Sequence, residues 1–192
     1  MRVETFCGGF DRNLAYLVWD EDTKEAAVID TALQAEFIFH EAKQQKLKIK
    51  YAFIMHSHFD HTKDLEKYKE KQIKLVAHQG IKGDRDIGVN DNQEIELGKC
   101  KLTVLYTPGH TPDGISIFVD DKPPKLFTSD TLFIGTAGRT DIEGGDQGML
   151  LQSLKRLSLL PEDTVVYPGH DYGKTQTSTI GNEKKKNPFM NF

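Results

Sequence analysis

The residues best suited to chemistry are histidines, and they are concentrated rather than scattered. The chain has seven histidines in 192 residues, and three of them lie in the stretch His56-Ser57-His58-Phe59-Asp60-His61. Alternate side chains of an extended backbone share a face, so His56 and His58 are expected to project together. Asp60 and His61 then turn to a second side as the chain leaves the strand. Such a group is costly to bury unpaired, but it suits zinc, iron or manganese, so the stretch predicts a metal site.

Three further residues of ligand type each follow a strand-like run. His110 lies in a Thr-Pro-Gly-His-Thr turn, Asp130 comes just past another apolar run, and His170 follows a Pro-Gly turn. Strand ends followed by turns are where a scaffold commonly presents functional side chains. Together with the first stretch they strengthen the metal interpretation, whereas His40 and His78 have no partner motif and are interpreted as surface or core histidines.

The elements that must position these residues are short strands mixed with helices. Several strands follow one another with only turns between them, which fits neither a purely parallel doubly wound sheet nor a sandwich of strands alone. We therefore expect two mixed sheets packed together with helices outside, and a surface excursion over residues 80–92. Strands are predicted over residues 3–6, 14–19, 26–29, 51–55, 74–77, 94–97, 101–106, 115–119, 125–128 and 164–167. Helices are predicted over about residues 35–46, 62–71 and 147–159, the last with Leu150, Leu151, Leu154 and Leu157 on its apolar side.

Composition limits the classes of function. Lysine and arginine number 25 and aspartate and glutamate 29, a net charge of −4 that disfavours nucleic-acid binding. Two distant cysteines exclude a disulfide framework or a cysteine-based zinc site. Residues 1–13 do not resemble a signal peptide, and no uncharged apolar run is long enough for a bilayer. We expect a cytoplasmic protein without nucleic-acid or membrane partners, and the oligomeric state stays open.

The order of these motifs resembles a known family over essentially the whole chain. HxHxDH, then TPGHT, SD and PGH are similar to the metallo-β-lactamase superfamily, and within it to the glyoxalase II-like (hydroxyacylglutathione hydrolase-like) hydrolases. The stretches 138–141 (Gly-Arg-Thr-Asp) and 170–173 (His-Asp-Tyr-Gly) resemble that branch and the related persulfide dioxygenases. The resemblance implies an α/β (α+β) fold, a four-layer αββα sandwich with the site at one edge of the two sheets. It implies a single domain over residues 1–192, without the C-terminal helical domain that helps glyoxalase II bind glutathione.

The resemblance also implies a site with two metal ions. The first would be held by His56, His58 and His110, the second by Asp60, His61 and His170, with Asp130 bridging both. A water or hydroxide would lie between the ions, for which zinc is expected and iron or manganese are the alternatives. Asp60 and Asp130 are the expected catalytic carboxylates. Relatives often have a glycine where this chain has Lys63-Asp64, a departure that bears on the start of the nearby helix.

Arg139, Thr111 and Tyr172 are the candidate substrate contacts. Thr111 and Tyr172 flank ligand histidines, with packing against those histidines as the alternative. Arg139 either meets a substrate carboxylate or pairs with Asp141 and braces the loop after Asp130.

The expected function is metal-dependent hydrolysis of a small-molecule acyl thioester by a hydroxide between the two metals. The leading alternative is a persulfide dioxygenase acting on glutathione persulfide, with one iron on His56, His110 and Asp130. A ribonuclease Z-like nuclease shares HxHxDH but is disfavoured by the acidic balance. A non-enzymatic metal-binding regulatory domain would leave seven intact ligand positions unexplained.

Overall fold

The computed structural model describes all 192 residues and contains fourteen strands, four α-helices and two short 3-10 helices. The strands are β1 (Arg2–Gly8), β2 (Asn13–Trp19), β3 (Glu25–Ile29), β4 (Lys48–Ile54), β5 (Lys74–His78), β6 (Ile87–Val89), β7 (Glu94–Leu97), β8 (Cys100–Tyr106), β9 (Ile115–Val119), β10 (Lys125–Ser129), β11 (Leu132–Phe133), β12 (Thr136–Ala137), β13 (Val165–Pro168) and β14 (Ser178–Thr179). The helices are α1 (Ala35–Gln44), α2 (Leu65–Glu70), α3 (Gln147–Leu157) and α4 (Ile180–Lys186), with 3-10 turns at Phe59–His61 and Pro188–Met190.

Two six-stranded sheets form the frame. The first sheet has the order β1-β2-β3-β4-β5-β6 and the second the order β14-β13-β10-β9-β8-β7, while β11 and β12 make a separate hairpin. Both sheets are mixed: β1 to β3 pair antiparallel and β3 to β6 parallel, whereas β10 pairs antiparallel with β9 and parallel with β13. The chain passes from the first sheet to the second once, between β6 and β7.

The sheets pack face to face with helices on both outer sides. Tyr16 and Phe53 of the first sheet meet Leu102 and Phe127 of the second in an apolar core. Helices α1 and α2 cover the outer face of the first sheet, and α3 and α4 cover that of the second, where Leu154 is fully buried. The predicted mixed sheets and the four-layer αββα sandwich are therefore confirmed.

Several local predictions were wrong. The surface excursion contains strand β6, because Ile87 and Val89 continue the first sheet beside β5. Leu151 is 38% exposed, since it lies at the edge of the α3 face that buries Leu150, Leu154 and Leu157. Helix α2 begins only at Leu65, because Asp64 adopts a left-handed conformation with φ +51°.

The C-terminal segment forms α4, which the sequence did not predict. Its three lysines, residues 184–186, are exposed as expected. No helix has both the length and the apolar character needed to span a membrane.

Candidate metal centre

All seven predicted ligand side chains meet at one edge of the two sheets. His56 and His58 follow the end of β4, and Asp60 and His61 lie in the 3-10 turn directly after them. His110, Asp130 and His170 follow the ends of β8, β10 and β13. Three overlapping groups have ligand atoms within 4.8 Å of one another, namely His56/His58/His110, His56/His61/Asp130 and Asp60/His61/His170. Because the groups share His56 and His61, the seven side chains form one continuous cluster.

The cluster has two ends joined by a carboxylate. At one end, His58 Nδ1 lies 3.0 Å from His110 Nε2 and 3.2 Å from His56 Nε2. At the other, His61 Nε2 lies 3.0 Å from His170 Nε2, and Asp60 Oδ2 lies 3.4 Å from His61 Nε2. Asp130 lies between them, 3.5 Å from His110 Nε2 and 3.4 Å from His170 Nε2. Asp130 thus lies near both ends, and the division of the seven residues between two metal ions stays a prediction.

Four of the histidines are held from outside the cluster through Nδ1. The Nδ1 partners are Ser129 Oγ for His56 (3.2 Å), Asp30 Oδ1 for His61 (2.6 Å), the Arg139 carbonyl for His110 (2.8 Å) and the Asp11 carbonyl for His170 (2.8 Å). Carbonyl and carboxylate oxygens only accept, and the Ser129 hydroxyl gives its one hydrogen to Asp30, so these Nδ1 atoms donate. In a neutral ring Nε2 then presents a lone pair to the cluster. Outer hydrogen bonds of this kind orient histidine ligands in metal sites.

A cation is needed where the two lone pairs meet. His61 Nε2 and His170 Nε2 face each other at 3.0 Å in a buried setting, and with their Nδ1 atoms donating elsewhere neither neutral ring can donate to the other. Asp130 Oδ1 is also buried and has no hydrogen-bond partner. Either a proton or a metal ion must lie between these atoms, and five imidazoles with two carboxylates form a donor set suited to zinc, iron or manganese. The residues therefore fit a metal centre.

The charges of the cluster differ between its ends. Burial, followed by the neighbouring histidines, lowers the pKa of His56 and His58, which keeps both rings neutral and able to ligate. For His61 burial opposes the charged form, but the carboxylates of Asp30 and Asp130 outweigh it and raise its pKa well above the usual value. Burial likewise opposes ionisation of Asp130, yet His61 and His170 hold its pKa below the usual range. The end around His61 therefore favours bound positive charge.

Two glycines allow the turns that carry the ligands. Gly109 has φ +137°, and a Cβ there would collide with the backbone of Leu150 at the start of α3. A Cβ on Gly169 would collide with Asp130 Oδ1 and the backbone of Ser129. The Pro-Gly turns thus bring His110 and His170 close to neighbouring backbone.

Asp30 is a site residue that the sequence did not reveal. It follows β3, is 1% exposed, and accepts hydrogen bonds from His61 Nδ1 and from Ser129 Oγ at 2.7 Å. Because Ser129 Oγ accepts from His56 Nδ1, one carboxylate holds histidines of both ends. The available signal was its place after an apolar strand, the same signal that identified Asp130.

The three candidate substrate contacts occupy different surroundings. Thr111 is buried, and its Oγ1 has no partner. Tyr172 stacks on His170 with ring centroids 4.9 Å apart, and its hydroxyl donates to Asp11. Arg139 forms two hydrogen bonds to Asp141, at 2.8 and 2.9 Å, and both side chains are exposed. Its pairing with Asp141 was one of the two expected arrangements, and its role toward substrate stays a prediction.

His40 and His78 lie outside the cluster. His40 is exposed on α1, and His78 is partly buried and stacks on Tyr106. Both therefore match the surface or core interpretation.

Comparisons with known proteins identify a family of metal-dependent enzymes. The family model described as "Metallo-beta-lactamase superfamily" matches residues 8–82 and 72–170. The chain is 34% identical to the cytoplasmic hydroxyacylglutathione hydrolase of Arabidopsis thaliana over 83% of its own length, and it spans 64% of that protein. It is 32% identical to hydroxyacylglutathione hydrolase GloC of Haemophilus influenzae, with 95% of this chain and 94% of that protein covered.

A second activity is represented at similar identity. The chain is 31% identical to the human mitochondrial persulfide dioxygenase ETHE1, with 90% of this chain and 69% of that protein covered. Among solved structures, ETHE1 from Myxococcus xanthus superposes with a TM-score of 0.91 at 33% identity, over 98% of this chain and 84% of that chain. The relatives therefore include both hydrolases and dioxygenases.

Proposed function

The chain belongs to the metallo-beta-lactamase superfamily, and we propose that within it the protein is a hydrolase that cleaves a small-molecule acyl thioester with two divalent metal ions. We propose that residues 1–192 form a single domain and that the ions are zinc. The relatives named as hydroxyacylglutathione hydrolases support the reaction class, and the one named as cytoplasmic supports the expected location.

The observation that carries the proposal is the complete second group of donors. Asp60, His61 and His170 converge to within 4.8 Å beside the first group, and Asp130 touches both. A centre for a single ion would need only one group. We therefore assign His56, His58 and His110 to one ion, Asp60, His61 and His170 to the other, and Asp130 to both.

The metal ions, when bound, supply hydroxide at neutral pH and polarise the substrate carbonyl. The chain's own residues fix the surrounding geometry. Asn13 Nδ2 donates to Asp60 Oδ2 at 2.9 Å, which orients that carboxylate. Burial opposes ionisation of Asp60, but protonated His61 and the hydrogen bond from Asn13 hold its pKa below the usual range. Asp60 therefore stays ionised and can accept a hydrogen bond from the attacking water.

Thr111 and Tyr172 are proposed to act beside the centre. The Thr111 hydroxyl has no partner within the chain but is buried, so it would donate to a substrate oxygen only after the surrounding wall opens. Tyr172 secures His170 by stacking and holds Asp11, whose carbonyl accepts from His170 Nδ1. Arg139 is available to a substrate carboxylate only if it leaves Asp141.

Persulfide dioxygenase activity is the second candidate, favoured by the close superposition on ETHE1 from Myxococcus xanthus. It would require one iron, for which His56, His110 and Asp130 are the proposed ligands. Oxygen consumption with glutathione persulfide distinguishes it from hydrolysis.

The test combines metal analysis of anaerobically purified protein with a thiol-release assay on acyl thioesters, including S-lactoylglutathione. We expect two ions per chain and hydrolysis that falls at least about 100-fold in His58→Ala and Asp130→Asn. His40→Ala is the matched control, because His40 is exposed on α1 away from the cluster. Near wild-type hydrolysis in either site variant would overturn the mechanism, and one iron with oxygen uptake would establish the alternative.

A further inference from the structure

A cavity of about 360 Å³ opens beside the candidate metal centre. His58 belongs to its wall, so the cavity and the cluster are adjacent. Pro112 is the one apolar side chain in its wall, and its charged residues are Lys82, Asp113 and Glu143. A group entering this cavity from a substrate at the metal centre would therefore meet one cation and two carboxylates.

Asp113 is the unusual member of this wall. It is only 5% exposed, its Oδ1 is buried, and neither carboxylate oxygen makes a hydrogen bond or ion pair within the chain. A buried carboxylate without a partner is strongly unfavourable in a folded protein. Water or a cationic group entering from the cavity would therefore stabilise it.

Neighbouring groups do not supply that partner. Lys82 is exposed and forms no ion pair, and the Tyr106 hydroxyl donates instead to the Pro112 carbonyl at 2.7 Å. His78 stacks on Tyr106, and its Nδ1 accepts from the Gly80 N–H. Glu143 is exposed and adds a second negative charge to the same wall.

We propose that Asp113 makes this cavity the subsite for a positively charged, ammonium-type group on the part of the substrate remote from the scissile bond. The inference rests on the proposed thioester hydrolysis and adds a substrate class to it, namely thioesters that carry a cationic group. An ammonium there would give the carboxylate its missing partner, while the acyl carbonyl stays at the metal centre beside His58.

The test compares two thioesters of nearly equal shape. Acetylthiocholine carries a trimethylammonium group, and 3,3-dimethylbutyl thioacetate carries a neutral tert-butyl group in its place. The wild-type enzyme should favour the cationic substrate by about tenfold in kcat/KM. Asp113→Asn should abolish that preference while changing kcat/KM for the neutral substrate less than about twofold. Glu143→Gln is the matched control in the same wall and should retain most of the preference, because Glu143 is exposed.

Stability and binding measurements separate this role from a structural one. Asp113→Asn removes an unpaired buried charge, so its Tm should equal or exceed that of the wild type. Choline alone should bind the wild-type protein in calorimetry and lose that binding in Asp113→Asn. A wild-type preference near one, an equal loss for both substrates in Asp113→Asn, or a lowered Tm would overturn the subsite.

The two proposals fail in different ways. If the metal-loaded protein hydrolyses no thioester but binds choline through Asp113, hydrolysis is refuted and the cation subsite is retained. If it hydrolyses both substrates equally and choline does not bind, the cavity holds only water and the subsite is refuted, while hydrolysis stands.

Discussion

Replacing Asp30 with asparagine should weaken metal binding at both ends of the cluster. Its carboxylate accepts from His61 Nδ1 at 2.6 Å and from Ser129 Oγ at 2.7 Å, and Ser129 in turn holds His56. Asparagine has nearly the same size and tolerates the φ of +69° at this position. It offers one accepting oxygen, whereas the aspartate offers two oxygens that share a negative charge. The substitution thus removes one of two hydrogen bonds and the charge, without added backbone strain.

The expected loss follows from these bonds. A hydrogen bond to a charged group contributes about 1.5–3 kcal/mol, and loss of an outer partner of a metal ligand typically weakens metal affinity about 10–100-fold. These ranges agree, since 10–100-fold equals about 1.4–2.8 kcal/mol. We therefore expect the metal dissociation constants of Asp30→Asn to rise about 10–100-fold.

The measurement is competition with a chromophoric chelator at fixed pH. Ser129→Ala should weaken metal binding only at the end of the cluster near His56, because His61 keeps its own hydrogen bond to Asp30. Asp84→Asn is the matched control, an exposed carboxylate paired with Lys69 outside the site. Affinity within about twofold of wild type in Asp30→Asn would refute the view that this carboxylate orients the histidines.

Three other perturbations test the site and its frame. The folded-state pKa values of His61 and His170 are raised, because neighbouring carboxylates outweigh burial. The stability that these two protonated histidines contribute is therefore present below about pH 6.5 and is lost as pH rises through the folded pKa. The Tm of metal-free protein should therefore fall from pH 6.5 to 8 while metal affinity rises, and a metal-free Tm that increases over this range would contradict the assignment. Gly169→Ala should deplete the bound metal measured by elemental analysis, because its Cβ would collide with Asp130 Oδ1; full metal content would show that the turn can relax. Leu154→Ala should lower the free energy of unfolding by about 2–5 kcal/mol in urea titrations, since Leu154 is fully buried, and a loss below about 1 kcal/mol would mean that α3 repacks.

Four of the candidate ligands could be predicted because each lies shortly after an apolar run. His56, His110, Asp130 and His170 all lie just past strands that the sequence pattern identified within a few residues. Their convergence needed the resemblance as well, since the pattern alone does not say which strand ends are neighbours. The sheet order that brings β4 beside β3 and β10 beside β13 depends on long-range pairing.

Other features depended on contacts that no local pattern encodes. Asp30 follows a strand as Asp130 does, but its role arises from Ser129 and His61, which are distant in sequence. Strand β6 is three residues long and is defined only by its pairing with β5 at the edge of the first sheet. Asp64 takes a left-handed φ of +51°, and its Oδ2 accepts a hydrogen bond from the Ala35 N–H at 3.1 Å.

The single passage between the sheets divides the donors between two halves of the chain. His56, His58, Asp60 and His61 come from the half that forms the first sheet, and the other three ligands come from the half that forms the second. Neither half alone carries a complete donor group. A metal ion bound to either group would therefore link the two halves of the sandwich. Loading the site would then add to the docking free energy of the halves, and chelation would loosen the whole interface instead of a single loop.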